Sequence, residues 1–435
     1  MNKYLDQYAE PGTAAAADIP DAYHWHKVIV IPVCNESTGI LRTLPPARDR
    51  SLMILVVNET GKAQSHVSAA NLAFAQEVMS RFELQWQSTS SGGLSLLKDP
   101  NSPRDVLLVD RFNPALRFPD KGGVGHARKT GADLAAFLIE NGQVRSPWIH
   151  CSDADVVLPP RYLTCTEAIK KEDEKTAAAL IYPFRHEFPA DSASEKVARA
   201  TRLYEFSLRY YVAGLKYAGS PYAFHTIGST ITINAEHYGK VRGFPRRQAG
   251  EDFYLLNKLA KVGSIRQLSE ATECGPIEIA ARLSDRVPFG TGAAVTRMVE
   301  MNDPAREFLL YHPAVFESLK NWLDSLPCFW QRKTDDLSGV LMGLGLQNLV
   351  QPLREAGAPE ALHHALQHSS DEMQFYRQMH TWFDAFRTLK LIHFLRDQYF
   401  PSMTFESMDK DQSIDHLLPY EPVLPSLKPL LSNVL

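Results

Sequence analysis

The chain has 435 residues, 44% of them hydrophobic and 22% charged, which is typical of a globular protein with room for two or three domains. Its formal net charge is only -4, and no basic patch that would suit nucleic acid is visible. No apolar run approaches the roughly 18 residues of a membrane span, and the N-terminus lacks the basic start and apolar core of a signal peptide. We therefore expect a cytoplasmic protein with no integral membrane segment and no nucleic-acid partner.

The cysteines are odd in number and show no C-x-x-C spacing. They are Cys34, Cys151, Cys165, Cys274 and Cys328. This distribution argues against a disulfide framework and against a zinc site, and it favours a reducing compartment.

Apolar runs that end in polar residues predict parallel strands buried on both faces. They are "KVIVIPV", "SLMILVV", "DVLLV" and "WIHC". The segments "HVSAANLAFAQEVMSRFELQ" and "GHARKTGADLAAFLIENG" between them have helical spacing. Alternating strands and helices predict an α/β fold with a doubly wound sheet, whose ligand lies beyond the carboxyl ends of the strands.

The character of the sequence changes along the chain and predicts three regions. Residues 1–26 are rich in Ala, Asp and Pro and are expected to form a flexible lead-in, followed by the sheet domain at 27–299. Residues 300–435 contain long amphipathic stretches and are expected to form a helical C-terminal domain. Its last segment, "LPYEPVLPSLKPLLSNVL", is expected to lie extended along the surface.

Asp153 and Asp155 follow the predicted strand "WIHC" directly. Carboxylates one residue apart at a strand end can hold a divalent cation and orient a nucleotide, but a structural Asp cap on the next helix explains them as well. A second D-x-D, Asp409 and Asp411, follows the polar segment "TFESM" and is interpreted as a solvated loop.

Downstream, Gly243-Phe244 is followed by Glu251 and Asp252 at the start of a helical pattern. Acidic residues in a first turn suit the helix dipole, which alone would account for the pair.

The order of these motifs resembles that of the nucleotide-sugar glycosyltransferases of family 2, which have the GT-A fold. "VIVIPVCNES" is similar to the opening strand of that family, "VVNET" to its second strand-end motif and "GHARKTGADLA" to its A-R-N-x-G helix. "TIGSTITINAEHYGKVRGF" is similar to its acceptor-side segment. The resemblance covers roughly residues 27–265 and implies a doubly wound, Rossmann-like mixed sheet.

The resemblance also implies roles for individual residues. Those implied to bind the donor are Pro32, Val33, Asn35, Glu36, Asn58, Arg128 and Asp153. Asp155, with Asp153, would hold Mn²⁺ or Mg²⁺. Asp252 would be the general base that deprotonates the acceptor hydroxyl, and Glu251 would orient it or the acceptor.

Two residues depart from the family pattern. Asn58 stands where the family usually has an aspartate that reads the base, although an amide can still bind a uracil or guanine edge. Lys129 replaces a common asparagine; it either faces the diphosphate or lies on a solvated helix face.

The general base implied at Asp252 is a carboxylate, and a carboxylate with an ordinary pKa of about 4 is a weak base. We therefore expect removal of the acceptor proton to be concerted with departure of the nucleotide diphosphate.

The segment "ARLSDRVPFGTGAAV" contains Arg282 and Arg286 beside a Gly-rich turn. Both arginines are included among the donor-binding candidates because Arg binds phosphate or carboxylate in a bidentate manner. They would close over the diphosphate or grip an anionic acceptor such as glycerate; the alternative is a surface loop with a structural role only.

The sequence therefore predicts a metal-dependent, hexosyltransferase-type enzyme. It would move a sugar from a nucleotide-diphosphate donor to a hydroxyl of a small molecule or glycan. A sugar-phosphate nucleotidyltransferase is disfavoured because "PVCNES" lacks the expected Gly-rich loop. A scaffold without turnover is the non-enzymatic alternative.

Overall fold

The computed structural model describes residues 1–43, 49–88, 92–187, 195–268, 274–281 and 291–432. The chain divides into two compact units. The first unit comprises Met1–Pro189 and Thr226–Ala293, and the second comprises Ala190–His225 and Ala294–Leu435. The second unit therefore includes Ala190–His225, whereas the sequence predicts that this segment belongs to the sheet domain.

The strands of the first unit are built largely from the apolar runs of the sequence. They are β1 (Lys27–Val33), β2 (Ser51–Asn58), β3 (Glu83–Gln87), β4 (Leu94–Lys98), β5 (Arg104–Arg111), β6 (Trp148–Cys151), β7 (Val156–Val157), β8 (Ala177–Ile181), β9 (Phe184–Glu187), β10 (Ile231–Asn234), β11 (Ser264–Gln267) and β12 (Ile277–Ala280). The second unit contains β13 (Leu309–Leu310) and β14 (Met403–Thr404).

Within the described residues, nine strands form one mixed sheet in the order β11-β8-β10-β6-β1-β2-β5-β4-β3. Strands β6, β1, β2 and β5 run parallel, and β10 lies antiparallel between β6 and β8. A smaller sheet has the order β7-β12-β9. All residues of β1 and β2 are buried, as expected for central strands covered on both faces.

The helices lie in both units. In chain order they are α1 (Asn2–Gln7), α2 (Ile40–Thr43), α3 (Ser65–Arg81), α4 (Val124–Glu140), α5 (Lys171–Thr176), α6 (Glu195–Tyr217), α7 (Ala235–Lys240), α8 (Glu251–Leu259), α9 (Thr291–Glu300), α10 (Pro304–Glu307), α11 (Ala314–Arg332), α12 (Leu337–Gly343), α13 (Gln347–Glu355), α14 (Ala358–His368), α15 (Glu372–Trp382), α16 (Ala385–Gln398), α17 (Phe405–Lys410) and α18 (Leu424–Ser432). Helices α6, α9 and α11 to α18 contribute residues to the apolar core of the second unit.

The predicted fold class is confirmed: the first unit is a doubly wound, mixed α/β sheet and the second is mainly helical. The hairpin of β3 and β4 is not predicted by the sequence, in which "FELQ" continues the helical spacing of α3. In the structure α3 ends at Arg81, and β3 begins at Glu83 and pairs with β4. Strand β3 lies at the edge of the sheet with most of its residues exposed, so it lacks the apolar signal of the central strands.

The N-terminal segment has regular structure, whereas a flexible lead-in is the expectation from its composition. Helix α1 is followed by a 3₁₀ segment at Pro11–Asp18. Tyr4 and Trp25 are buried, and the Trp25 indole donates to Asp105 Oδ2 at 2.8 Å. These buried anchors account for the order of a segment with few apolar residues.

The expectation of an extended C-terminal tail is wrong. Residues from Leu424 form helix α18, and Leu424, Leu427 and Leu431 are buried in the core of the second unit. Leucines spaced three and four residues apart share one helix face, and this periodicity outweighs the prolines between them.

Cys165 and Cys274 form a disulfide, with Cα atoms 5.8 Å apart, against the expectation of unpaired cysteines. A separation of 109 residues leaves no local sequence signal for this pairing. None of the helices in the described ranges combines the length and hydrophobicity of a transmembrane segment.

Candidate active site

Three neighbouring parallel strands bring the predicted motifs to one edge of the sheet. Val30 of β1 pairs with Cys151 of β6, and Val33 pairs with Val57 of β2. The segments that follow these strands therefore emerge side by side at their carboxyl ends, where doubly wound folds bind ligands.

A buried arginine joins two of these motifs. Arg128 of α4 is 3% exposed; its Nη2 donates to Asp153 Oδ1 at 2.6 Å and its Nε to Glu251 Oε1 at 2.8 Å. Nη1 donates to the Ser152 carbonyl at 3.2 Å. Burial alone would lower the pKa of Arg128, but the charges of Asp153 and Glu251 raise it above its ordinary value, so the guanidinium is cationic.

Asp252 lies beside this group in the first turn of α8. Helix α8 begins after Gly250, which has a left-handed backbone with φ of 73°. Burial and the neighbouring Glu251 raise the pKa of Asp252 to about 7, while Arg128 opposes this rise. We call Arg128, Asp153, Glu251 and Asp252 the arginine cluster. Because the pKa of Asp252 is raised, the expectation that this carboxylate has an ordinary pKa of about 4 does not hold.

Asn58, at the end of β2, is 5% exposed and has a fixed amide orientation. Its Nδ2 donates to the Val33 carbonyl at 2.9 Å and to the Val56 carbonyl at 3.1 Å. Since both acceptors require the nitrogen, the side-chain oxygen is the atom directed elsewhere.

Two polar residues that the sequence does not single out hold this strand end together. Asn71 of α3 donates to the Asn58 carbonyl at 3.0 Å and to Glu59 at 3.2 Å, and its Oδ1 accepts from the Asn35 amide at 3.0 Å. Glu59 is buried and paired with Arg117 at 2.7 Å. We call Asn35, Asn58, Glu59 and Asn71 the strand-end cluster. A buried Asn in an amphipathic helix leaves no motif from which Asn71 could have been predicted.

The remaining candidates occupy varied positions. Pro32 and Val33 are buried in β1, Glu36 follows β1 and is half-buried, and Asp155 is half-buried after β6. Arg282 and Arg286 lie outside the described residues.

Lys129 belongs to a different buried network. Its Nζ donates to Tyr4 Oη at 2.8 Å and to Asp133 Oδ2 at 2.9 Å, and Tyr238 also donates to Asp133 at 2.7 Å. Lys129 is 4% exposed, so it does not lie on a solvated helix face. These contacts tie the N-terminal segment to α4.

The second D-x-D lies in a different structural setting. Asp409 is in the last turn of α17, where it pairs with Lys428 at 3.1 Å, and Asp411 is the exposed residue after the helix. It therefore does not follow a strand of the large sheet.

The residues at the strand end suit a hard divalent cation only if a substrate completes its shell. In the part of the chain that the structure describes, no group of three or more His, Cys, Asp or Glu is placed to hold a metal. Mg²⁺ and Mn²⁺ can be held by one or two carboxylates, with diphosphate oxygens as further ligands. Asp155 and Asp153, which are separated by Ala154 in the loop after β6, fit that mode.

Comparisons with protein-family models and with curated proteins found no match. Among solved structures, TarS residues 1–349 from S. aureus, in complex with UDP-GlcNAc, is 12% identical with a TM-score of 0.35, over 82% of this chain and 90% of that one. The mannosyltransferase PcManGT from Pyrobaculum calidifontis, in complex with GDP-Man and Mn²⁺, is 13% identical with a TM-score of 0.35, over 92% of this chain and 94% of that one. Similarities this low do not establish a family.

Proposed function

We propose that this protein is a glycosyltransferase, similar to those of family 2, that moves a hexosyl group from a nucleotide-diphosphate sugar to a hydroxyl acceptor. The observation that carries the proposal is the arginine cluster. Through Arg128 it joins the strand-end Asp153 to the pair Glu251-Asp252, which lies about 100 residues downstream in the sequence. A donor-binding motif and a basic carboxylate side by side are what sugar transfer to a hydroxyl requires.

Asp252 is proposed to act as the general base. A carboxylate whose pKa is raised to about 7 is half ionised near neutral pH and accepts a proton more readily than one with a pKa near 4. It would take the proton of the acceptor hydroxyl as the oxygen attacks the anomeric carbon and the bond to the nucleotide diphosphate breaks. Glu251, fixed by Arg128, would keep Asp252 or the acceptor in position.

The strand-end cluster and the first strand are proposed to bind the nucleotide. Asn58 would present its side-chain oxygen to an N–H of the base, because its nitrogen is held by two backbone carbonyls. Uracil and guanine each carry a ring N–H that suits such an acceptor. Pro32, Val33, Asn35 and Glu36 would line the base and ribose.

A divalent cation, Mn²⁺ or Mg²⁺, is proposed to bind at Asp155 together with the donor diphosphate. When bound, it would offset the charge that develops on the leaving diphosphate. The acceptor is proposed to be a small molecule or a glycan. The cytoplasmic location stays a prediction from the sequence.

Donor binding is the first experiment. Thermal unfolding would be followed with UDP-, GDP-, ADP- and TDP-linked sugars, each with and without Mn²⁺, starting from UDP-GlcNAc and GDP-Man. Ligands that bind the native state raise the unfolding midpoint by mass action. We expect a uridine or guanosine donor to raise it, and to do so more with Mn²⁺.

Asp155→Ala and Asp411→Ala form a matched pair for calorimetry of the selected nucleotide. We expect the change at Asp155 to abolish the metal-dependent part of the affinity and the change at Asp411 to leave it intact. Equal affinity and metal dependence in Asp155→Ala and the parent would remove Asp155 from the site.

A further inference from the structure

Arg128 connects two parts of the site that are far apart in the sequence. Its three nitrogens donate to three different residues: Ser152 and Asp153 after β6, and Glu251 at the start of α8. Among these partners, Glu251 is 3% exposed and Ser152 is fully buried, so water competes little for the hydrogen bonds to these two residues, whereas Asp153 is half-buried.

The guanidinium is also fixed by close packing against a glycine. A Cβ atom at Gly228 would lie 2.4 Å from Arg128 Nη2, 2.7 Å from Cζ and 2.9 Å from Nε. Gly228 begins a 3₁₀ turn that leads into β10, so backbone covers the guanidinium on this side. Any larger residue at position 228 would push the arginine away from its partners.

Helix α4 and the start of α8 approach closely at a second glycine. A Cβ atom at Gly125 would lie 2.7 Å from the carbonyl oxygens of Pro245 and Arg247, and 2.9 Å from Glu251 Cβ. The position of Glu251 relative to α4 is therefore set by backbone packing as well as by the hydrogen bond from Arg128.

We propose that Arg128 is a positioning residue that fixes Asp153 and Glu251 relative to each other. The same contacts hold its own guanidinium charge near Asp252. This inference rests on the proposed function, which assigns Asp153 to the donor side of the site and Glu251 to the acceptor side. It differs from the expectation that Arg128 binds the donor, because the guanidinium donates to protein acceptors on both sides of the site.

The position of Arg128 has a measurable consequence at Asp252. The groups that act on the Asp252 carboxyl are Glu251 on its own helix, Asp153 after β6, Arg128 on α4 and the Phe253 amide, which donates to it at 2.7 Å. Arg128 is the cation in this set and stabilises the ionised form. If Arg128 moves away, the two carboxylates remain and proton loss from Asp252 becomes harder.

The test follows the carboxyl carbon of Asp252 by NMR in protein labelled with ¹³C-aspartate, with Asp252→Asn to assign the signal. Gly228→Ala keeps the arginine but displaces it, and Arg128→Lys keeps a charge but cannot make the same three contacts. We expect the midpoint of the Asp252 titration to rise in both variants, by about one pH unit in Gly228→Ala. Affinity for the donor found by the screen should fall about tenfold or more, because Asp153 loses the partner that holds it in position.

Arg209→Lys is the matched control for a merely structural effect. Arg209 is also 3% exposed and also paired with two carboxylates, Glu205 and Glu421, but it belongs to the second unit. We expect it to lower the unfolding midpoint without moving the Asp252 titration.

If Gly228→Ala and Arg128→Lys lower stability and leave the Asp252 midpoint at its parent value, as in the control, the positioning role is overturned. The NMR titration needs no substrate. A parent protein that binds no nucleotide would therefore refute the proposed function, while the titration would still decide whether Arg128 places its charge at Asp252.

Discussion

At the scale of single residues, the raised pKa of Asp252 has a cost in stability. Its pKa in the folded protein is raised from the ordinary value near 4 to about 7. Ionising it is therefore harder in the folded than in the unfolded chain. The resulting penalty is absent below pH 4, grows as the pH rises towards 7, and is complete above pH 7.

We expect Asp252→Asn to stabilise the protein at pH 8 and to have little effect at pH 4, because the amide removes the ionisation penalty. Thermal unfolding of the parent and the variant across this pH range measures it. Asp411→Asn, at an exposed position, is the control and should leave the difference between the two pH values unchanged. An Asp252→Asn variant that is less stable than the parent at pH 8 would show that the carboxylate is stabilising and that its pKa is not raised.

The residues of the site could be predicted from the sequence only where a motif marks them. The D-x-D after a buried strand and the E-D pair before a helix mark Asp153 and Asp252, and the structure places both in one cluster. The contacts of Arg128 and Asn71 could not be predicted. They depend on how α3 and α4 pack against distant segments, which no spacing in the sequence records.

At the scale of elements, the tail of the chain is held to α6 by buried charges. Glu421 accepts from Arg209 at 3.0 Å and from Lys216 at 2.9 Å, and His225 lies 3.7 Å away. Burial alone would raise the pKa of Glu421, but hydrogen bonds and charges from His225 and Lys216 lower it to about 2. Its stabilising contribution is complete above pH 4.5 and is lost as the pH falls towards 2.

We expect Glu421→Gln to lower the free energy of unfolding by about 1 to 3 kcal/mol at pH 7, because it removes a buried carboxylate from Arg209, which keeps Glu205, and from the half-buried Lys216. Chemical denaturation at pH 7 measures the change. Glu360→Gln, at an exposed site on α14, should change stability by less than about 0.5 kcal/mol. Equal stability of both variants would mean that Glu421 is a solvated residue of an extended tail, as its Pro-rich surroundings suggest.

The helices and strands that the sequence predicts correctly are those with a clear local pattern of apolar residues or a clear end signal. The bounds of β1 coincide with the run "KVIVIPV", and α4 ends at Glu140 before Asn141-Gly142, with Gly142 in the left-handed region at φ of 76°. Edge strand β3 and helix α18 differ from the sequence predictions, which give a helix end and an extended tail there. The first is mostly exposed and the second contains prolines, so neither has the composition typical of its class.

At the scale of the whole molecule, the proposed function assigns different roles to neighbouring residues at one edge of the sheet. The strand-end cluster would bind the nucleotide, Asp155 the metal with the diphosphate, and Asp252 the acceptor proton. If this is correct, loss of the base should separate donor binding from transfer.

The most direct measurement compares the parent with Asp252→Asn, using the donor that thermal screening selects. Donor affinity is measured by calorimetry, and release of nucleoside diphosphate is measured with a panel of hydroxyl acceptors between pH 5 and 9. We expect the parent rate to rise with pH through about 7, since Asp252 must be ionised. The variant should bind the donor as the parent does, while its rate falls by about 10² to 10⁴. A variant that transfers sugar at the parent rate, or a parent that binds no nucleotide and releases none, would contradict the account.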